Sequence, residues 1–207
     1  MLAPIRRRIP IGTIAGQLVQ LSLPVAGTGP GHCQGIRQRC GGTGHTEAVA
    51  ARRSAGILLF RRMDTGVQVL LGHMGGPLWT RRDAGAWTVP KGEYGGDEDA
   101  EVAARREFSE ELGLPVPDGW QFPLGEVRQG GGKVVTVWAL EGNLDPDRMA
   151  PGTFEMEWPK GSGRVQAFPE LDRAAWFDVD EARGRLVSAQ TAFLDRLTEQ
   201  LGACRSG

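Results

Sequence analysis

The sequence predicts an α+β domain over residues 53–207, preceded by a disordered extension over 1–52. Three observations predict this. Apolar runs of strand length recur along the chain, as at Ser54–Arg61 and Lys133–Leu140. Two segments carry helical spacing instead, Glu98–Leu112 and Gln190–Leu201. Residues 1–50 contain no Phe, Trp or Tyr and a single acid, Glu47, so they cannot supply a packed core.

With 207 residues and 40% hydrophobic content, the chain can bury a sizeable core. Its net charge is −1, which gives no global attraction to nucleic acid or to a membrane surface. Three cysteines argue against a disulfide framework and for a reducing, cytoplasmic compartment. In the extension, the apolar run Ile9–Val25 follows Arg6-Arg7-Arg8 but is broken by Pro10, Gln17, Gln20 and Pro24. It therefore reads as neither an export signal nor a membrane span. His32, Cys33, Cys40 and His45 match no standard zinc spacing. Arg6, Arg7, Arg8, Arg37 and Arg39 have no aromatic residues between them, so the segment is a poor RNA-binding signature. Neither a nucleic-acid nor a membrane partner is expected, and oligomeric state is left open.

The elements then follow in order. Ser54–Arg61 reads as a buried strand, Asp64-Thr65-Gly66 as a turn, and Val67–His73 as a second strand ending in His73. Gly75–Pro90 is a loop with two tryptophans. Trp79 is placed to stack on a base, whereas Trp87 is expected in the core. After the helix over 98–112, Leu124–Gln129 and Lys133–Leu140 form strands around Gly130-Gly131-Gly132, the second apolar on both faces and therefore central. Lys133, at that strand's start, could reach a phosphate. Thr153–Trp158 alternates, with Glu155 and Glu157 on one face, exposed or lining a phosphate site. Asp172–Val179 is the last strand. Asp180–Leu186 starts a short helix, and Gln190–Leu201 is amphipathic through Phe193, Leu194, Leu197 and Leu201.

The helix over 98–112 carries the chemistry. Gly95-Gly96 permits a sharp turn, and Asp97, Glu98 and Asp99 suit a helix start, with Asp97 as its cap. Gly113 stands where a helix-ending glycine belongs, and Pro115 prevents continuation. Ala100, Ala104, Phe108 and Leu112 form an i, i+4 stripe toward the core. At about 100° per residue, Glu107, Glu110 and Glu111 share the flank beside that stripe. Arg106 lies one turn from Glu110 and can pair with it. Three crowded carboxylates are either a solvated acidic face or oxygen ligands for a hard divalent ion, Mg²⁺ or Mn²⁺.

The spacing around this helix resembles the Nudix box. Gly92, Glu98, Arg106, Glu107, Phe108, Glu110, Glu111, Gly113 and Leu114 fill its defined positions. The resemblance implies a Nudix fold, a mixed β-sheet sandwiched between α-helices. It also implies hydrolysis of a nucleoside diphosphate linked to a further group. By the same resemblance Glu107, Glu110, Glu111 and the Lys91 backbone carbonyl bind the metal. Arg106 then orients a carboxylate, Glu98 is a structural or outer-sphere partner of the helix, and Gly92 and Gly113 are structural. The general base is Glu107, or a later glutamate among Glu170, Glu155 and Glu157. Trp87-Thr88-Val89-Pro90-Lys91-Gly92 is similar to the hexamer preceding the box in dinucleoside tetraphosphate and inositol pyrophosphate hydrolases. Glu170, ahead of Trp176-Phe177-Asp178, resembles a later glutamate of the former. This points to the dinucleoside polyphosphate hydrolase and NTP pyrophosphohydrolase branch, with Lys91 also a phosphate contact. NTP, ADP-ribose and inositol pyrophosphate are the alternative substrates. A nucleotide sensor without catalysis is the alternative class, and the intact set of box glutamates counts against it.

Overall fold

A computed structural model describes residues 52–204. The expectations for the extension, including disorder, lie outside the described residues. In chain order the elements are strands β1 (Arg53–Met63), β2 (Gly66–Met74), β3 (Trp87–Thr88) and β4 (Lys91–Glu93), then helix α1 (Ala100–Leu112). Strands β5 (Gln121–Arg128), β6 (Val134–Glu141), β7 (Thr153–Glu157), β8 (Val165–Pro169) and β9 (Leu171–Asp178) follow. Helices α2 (Val179–Arg185) and α3 (Thr191–Ala203) end the described chain.

The main sheet runs β3-β2-β1-β6-β5, with β4 also paired to β1 and β9 to β2. It is mixed: β1 lies parallel to β6, from Arg53 opposite Val134 to Phe60 opposite Glu141, and antiparallel to β2 and β4. Residues of β1 alternate between two cores, because successive strand side chains point to opposite faces. Leu58 and Phe60 pack with Val135, Val137, Phe193, Leu194, Leu197 and Leu201, under α3. Ala55, Ile57 and Leu59 pack with Ala104, Phe108, Leu112 and Leu140, under α1. The sheet is thus enclosed by helices on both faces, as expected for the α+β class. β7 and β8 form a separate antiparallel pair.

Three details differ from the sequence reading. Helix α1 starts two residues later than Glu98, and its cap is Asp99 rather than Asp97. The Asp99 carboxylate accepts from the amides of Glu101 and Val102 at 2.9 and 3.2 Å. The cap directly precedes the first helical residue, and with the helix starting at Ala100 that position is Asp99. The stretch read as one loop over 75–90 contains β3, and Lys91–Glu93 is a strand. Val165–Pro169 is likewise a strand, paired to β7. These short strands exist through long-range pairing and leave little local pattern. The close of α1 is as expected: Gly113 has φ 65°, and a side chain there would meet the Ala150 carbonyl at 2.0 Å.

Phe108 is fully buried on the α1 face. Phe108→Ala is expected to cost about 3–5 kcal/mol in urea unfolding, through lost transfer energy plus a cavity. No helix among the described residues is long and apolar enough to cross a membrane.

Candidate active site

The site is built where α1 passes under the turn from β3 to β4. Glu107 lies against Gly92 so closely that a Cβ on Gly92 would stand 1.8 Å from Glu107 Oε2. The glycine is therefore required by close approach of a carboxylate to the backbone, not by a positive φ. One turn on, Glu111 Oε2 accepts the Lys91 backbone N–H at 2.8 Å. Arg106 gathers the other acids. Its Nε and Nη2 donate to the two oxygens of Glu98, each at 2.8 Å, and its Nη1 serves both Glu107 and Glu110, the latter at 3.1 Å. The Glu98 bonds, first, and the acids beside it hold the guanidinium pKa above its ordinary value.

Glu170, just before β9, completes the cluster. Its N–H donates to Gly152 O at 3.0 Å and its carbonyl accepts from Gly75 N at 2.9 Å. The Gly152 N–H in turn reaches Glu110 O at 3.3 Å, which ties this connection to α1. The Glu170 carboxylate is near enough to push the pKa of both Glu107 and Glu111 upward. Burial is the larger cause for each, and it lifts Glu111 to about 8.

The opposite charge comes from Lys91 of β4 and from Lys133, just before β6. The Lys91 ammonium acts on both Glu111 and Lys133. Lys133 has a side chain only 14% exposed, with Nζ 3.5 Å from Glu93 Oε1, and Glu93 also pairs with Arg52. Burial and then the Lys91 charge lower the Lys133 pKa to about 8. Trp79 is half-buried in the loop after β2 and packs against the core under α3, with the Arg82 guanidinium 5.5 Å above its ring. It joins Pro77, Leu78, Phe154 and Met156 around a shallow apolar cleft. Glu155 and Glu157 are exposed on β7, and Glu157 Oε1 accepts from Gly163 N at 2.6 Å, within its own hairpin. Trp87 is in the core, 3% exposed.

The donor set suits a hard divalent ion, since it is oxygen only and sets the half-buried Glu111 beside other carboxylates. As they stand, no three His, Cys, Asp or Glu groups among the described residues meet at one point. Arg106 and the Lys91 amide hold the carboxylates instead. Glu107, Glu110 and Glu111 lie along α1, with Glu170 close to Glu107 and Glu111.

The pKa shifts of Glu111 and Lys133 bear on stability. Glu111 rises from 4.5 to about 8, so its contribution is complete below 4.5 and is lost as pH rises through 8. Lys133 falls from 10.5 to about 8, so its contribution is present above 10.5 and is lost as pH falls through 8. In EDTA, thermal melting should therefore show a dip near pH 8, deeper than in either Glu111→Gln or Lys133→Met. Identical profiles in all three proteins would contradict this electrostatic picture.

Comparison with known proteins agrees with the fold. The NUDIX domain model matches residues 50–197. The chain belongs to the Nudix hydrolase family. It is a Nudix pyrophosphohydrolase by that membership, and its fold recurs in solved structures. A C. elegans Ap4A hydrolase binary complex is 20% identical with a TM-score of 0.50, covering 73% of this chain and 98% of that one. The NUDIX domain of Shewanella oneidensis NrtR, complexed with ADP ribose, is 16% identical with a TM-score of 0.50, covering 73% and 89%. At such identity the likeness speaks for the fold alone. No curated protein matches the sequence.

Sequence reasoning missed the Gly92–Glu107 approach and the links from Glu170 to Gly75 and Gly152. Only the first had a local signal, a glycine directly after Lys91 in a segment that pairs as a strand.

Proposed function

We propose that this Nudix hydrolase is Mg²⁺-dependent, with Mn²⁺ as a substitute. Its proposed reaction is cleavage of a phosphoanhydride bond in a nucleoside diphosphate linked to another group, a dinucleoside polyphosphate first. The observation that carries the reading is that Glu170, from a distant segment, lies near enough to Glu107 and Glu111 to act on their charges, with Lys91 and Lys133 alongside. Glu107, Glu110, Glu111 and the Lys91 carbonyl would hold the ion. When bound, the ion supplies charge neutralisation on the phosphate oxygens and a lowered pKa for water.

This chain's own groups do the rest. Lys91 and Lys133 hold phosphate oxygens as point charges. Lys133 regains its proton affinity when a phosphate arrives beside it. Trp79 offers a face to a base. Glu170 takes the proton as a water oxygen bonds to phosphorus and the anhydride P–O bond breaks, with the negative charge leaving on the departing phosphate. Glu170 is preferred to Glu155 and Glu157 because it bears on the box glutamates, whereas Glu157 is engaged by its own turn. Glu107 is the remaining candidate base. A cytoplasmic location goes with the small nucleotide substrate.

Trp79→Ala tests the substrate side of this reading. It is expected to raise KM for diadenosine tetraphosphate about tenfold, equivalent to the ~1–3 kcal/mol of one stacked base, with kcat nearly unchanged. KM for an inositol pyrophosphate, which has no base, should not move. Equal effects on both compounds would remove Trp79 from base recognition.

A further inference from the structure

His73 is a buried titratable side chain that the chemistry above does not use. It is 0% exposed at the end of β2. Its Nε2 lies 2.8 Å from the Arg82 carbonyl and its Nδ1 2.7 Å from Asp172 Oδ1. Both ring nitrogens are thus engaged, one by a backbone carbonyl and one by a carboxylate. The Trp87 ring meets the imidazole edge-on at 5.2 Å. Trp87 Nε1 then donates to Asp83 Oδ1 at 2.8 Å, and Asp83 also pairs with Arg185 of α2.

Asp172 reaches His73 because β9 is bulged. Pairing with β2 runs from His73 opposite Arg173 directly to Met74 opposite Leu171, which leaves Asp172 unpaired. A bulge re-aims a side chain in this way. Two residues before Asp172 stands Glu170, whose carbonyl accepts from Gly75 N. The loop that starts at that bond carries Trp79, makes a tight turn through Arg82 N to Trp79 O at 2.7 Å, and closes where Met74 N meets Ala86 O at 2.9 Å. His73 is therefore bonded to the far side of the loop, and through Asp172 to the strand that follows Glu170.

We propose that His73 and Asp172 are positioning residues for substrate binding: they fasten the Arg82 turn to the β9 bulge and so hold the loop that carries Trp79 against the strand that follows Glu170. The inference rests on Trp79 being the base contact. His73 touches no substrate and acts through the loop.

The test combines hydrogen exchange with kinetics on the full chain. His73→Phe keeps a ring and removes both nitrogens. Exchange at the Arg82 and Ala86 amides should quicken about tenfold, while α1 is unchanged. KM for diadenosine tetraphosphate should rise about tenfold, with kcat within about twofold and the Mg²⁺ half-saturation unaltered. Asp172→Asn, which keeps an acceptor, should restore most of the wild-type KM relative to Asp172→Leu. If His73→Phe does not fold, His73→Gln, with one donor, should show the same pattern more weakly. Unchanged loop exchange, or exchange that rises equally in α1, would overturn the proposal. If the wild type hydrolyses no nucleotide, the substrate reading fails separately, and loop exchange still decides the role of His73.

Discussion

Glu111→Gln is expected to lower kcat by at least about 10²–10³-fold in saturating Mg²⁺. The substitution keeps the size of the side chain and an oxygen for the Lys91 N–H, which now stands 2.8 Å from Glu111 Oε2. What it removes is a negative charge that burial already disfavours, as its pKa of about 8 records. The metal-free variant should therefore melt at or above the wild type at pH 8, while Mg²⁺ should no longer raise its Tm. This pairing of lost activity with kept stability separates a metal ligand from a residue of the fold. Full activity in Glu111→Gln would remove it from the site. A fall in Tm together with activity would make its role structural.

Gly92→Ala is expected to cost both activity and stability. A methyl group there would stand 1.8 Å from Glu107 Oε2 and 2.1 Å from its Cδ. Glu107 is 9% exposed and held by Arg106, so it cannot swing clear without breaking that pair. Overpacking of this kind costs about 1–3 kcal/mol. A displaced Glu107 no longer faces Glu170 and Glu111, and a shift of about 1 Å in such a group can cost 10²-fold in rate. Gly96→Ala is the control: nothing lies within 4 Å of a Cβ built there, so kcat and Tm should stay at wild-type values. Equal behaviour of the two alanine variants, by urea unfolding and steady-state kinetics, would contradict the close approach.

Much of the site was legible because α1 is local. The stripe of Ala104, Phe108 and Leu112, the helix end at Gly113 and the shared flank of Glu107, Glu110 and Glu111 all follow from helical spacing. Arg106 was readable as a partner of Glu110, but its two hydrogen bonds to Glu98 depend on how the chain enters the helix. The strands β3, β4 and β8 were not legible, since two to five residues carry no usable periodicity and their pairing is set from far away. His73 read as an ordinary strand end because its partner Asp172 is 99 residues distant and is aimed by a bulge. Glu170 was marked by its position before β9, yet its nearness to Glu107 and Glu111 is a property of the folded sheet.

The central claim is that the carboxylates around α1 serve divalent-metal hydrolysis of a phosphoanhydride. It is tested most directly by ion-exchange product analysis of the wild type with Mg²⁺, with Mn²⁺ and with EDTA. The panel is diadenosine tetra- and hexaphosphate, ATP, an oxidised GTP, ADP-ribose and an inositol pyrophosphate. ATP and AMP are expected from the tetraphosphate in either metal and none in EDTA. Compounds that bind yet remain uncleaved throughout the panel, in both metals, would contradict it.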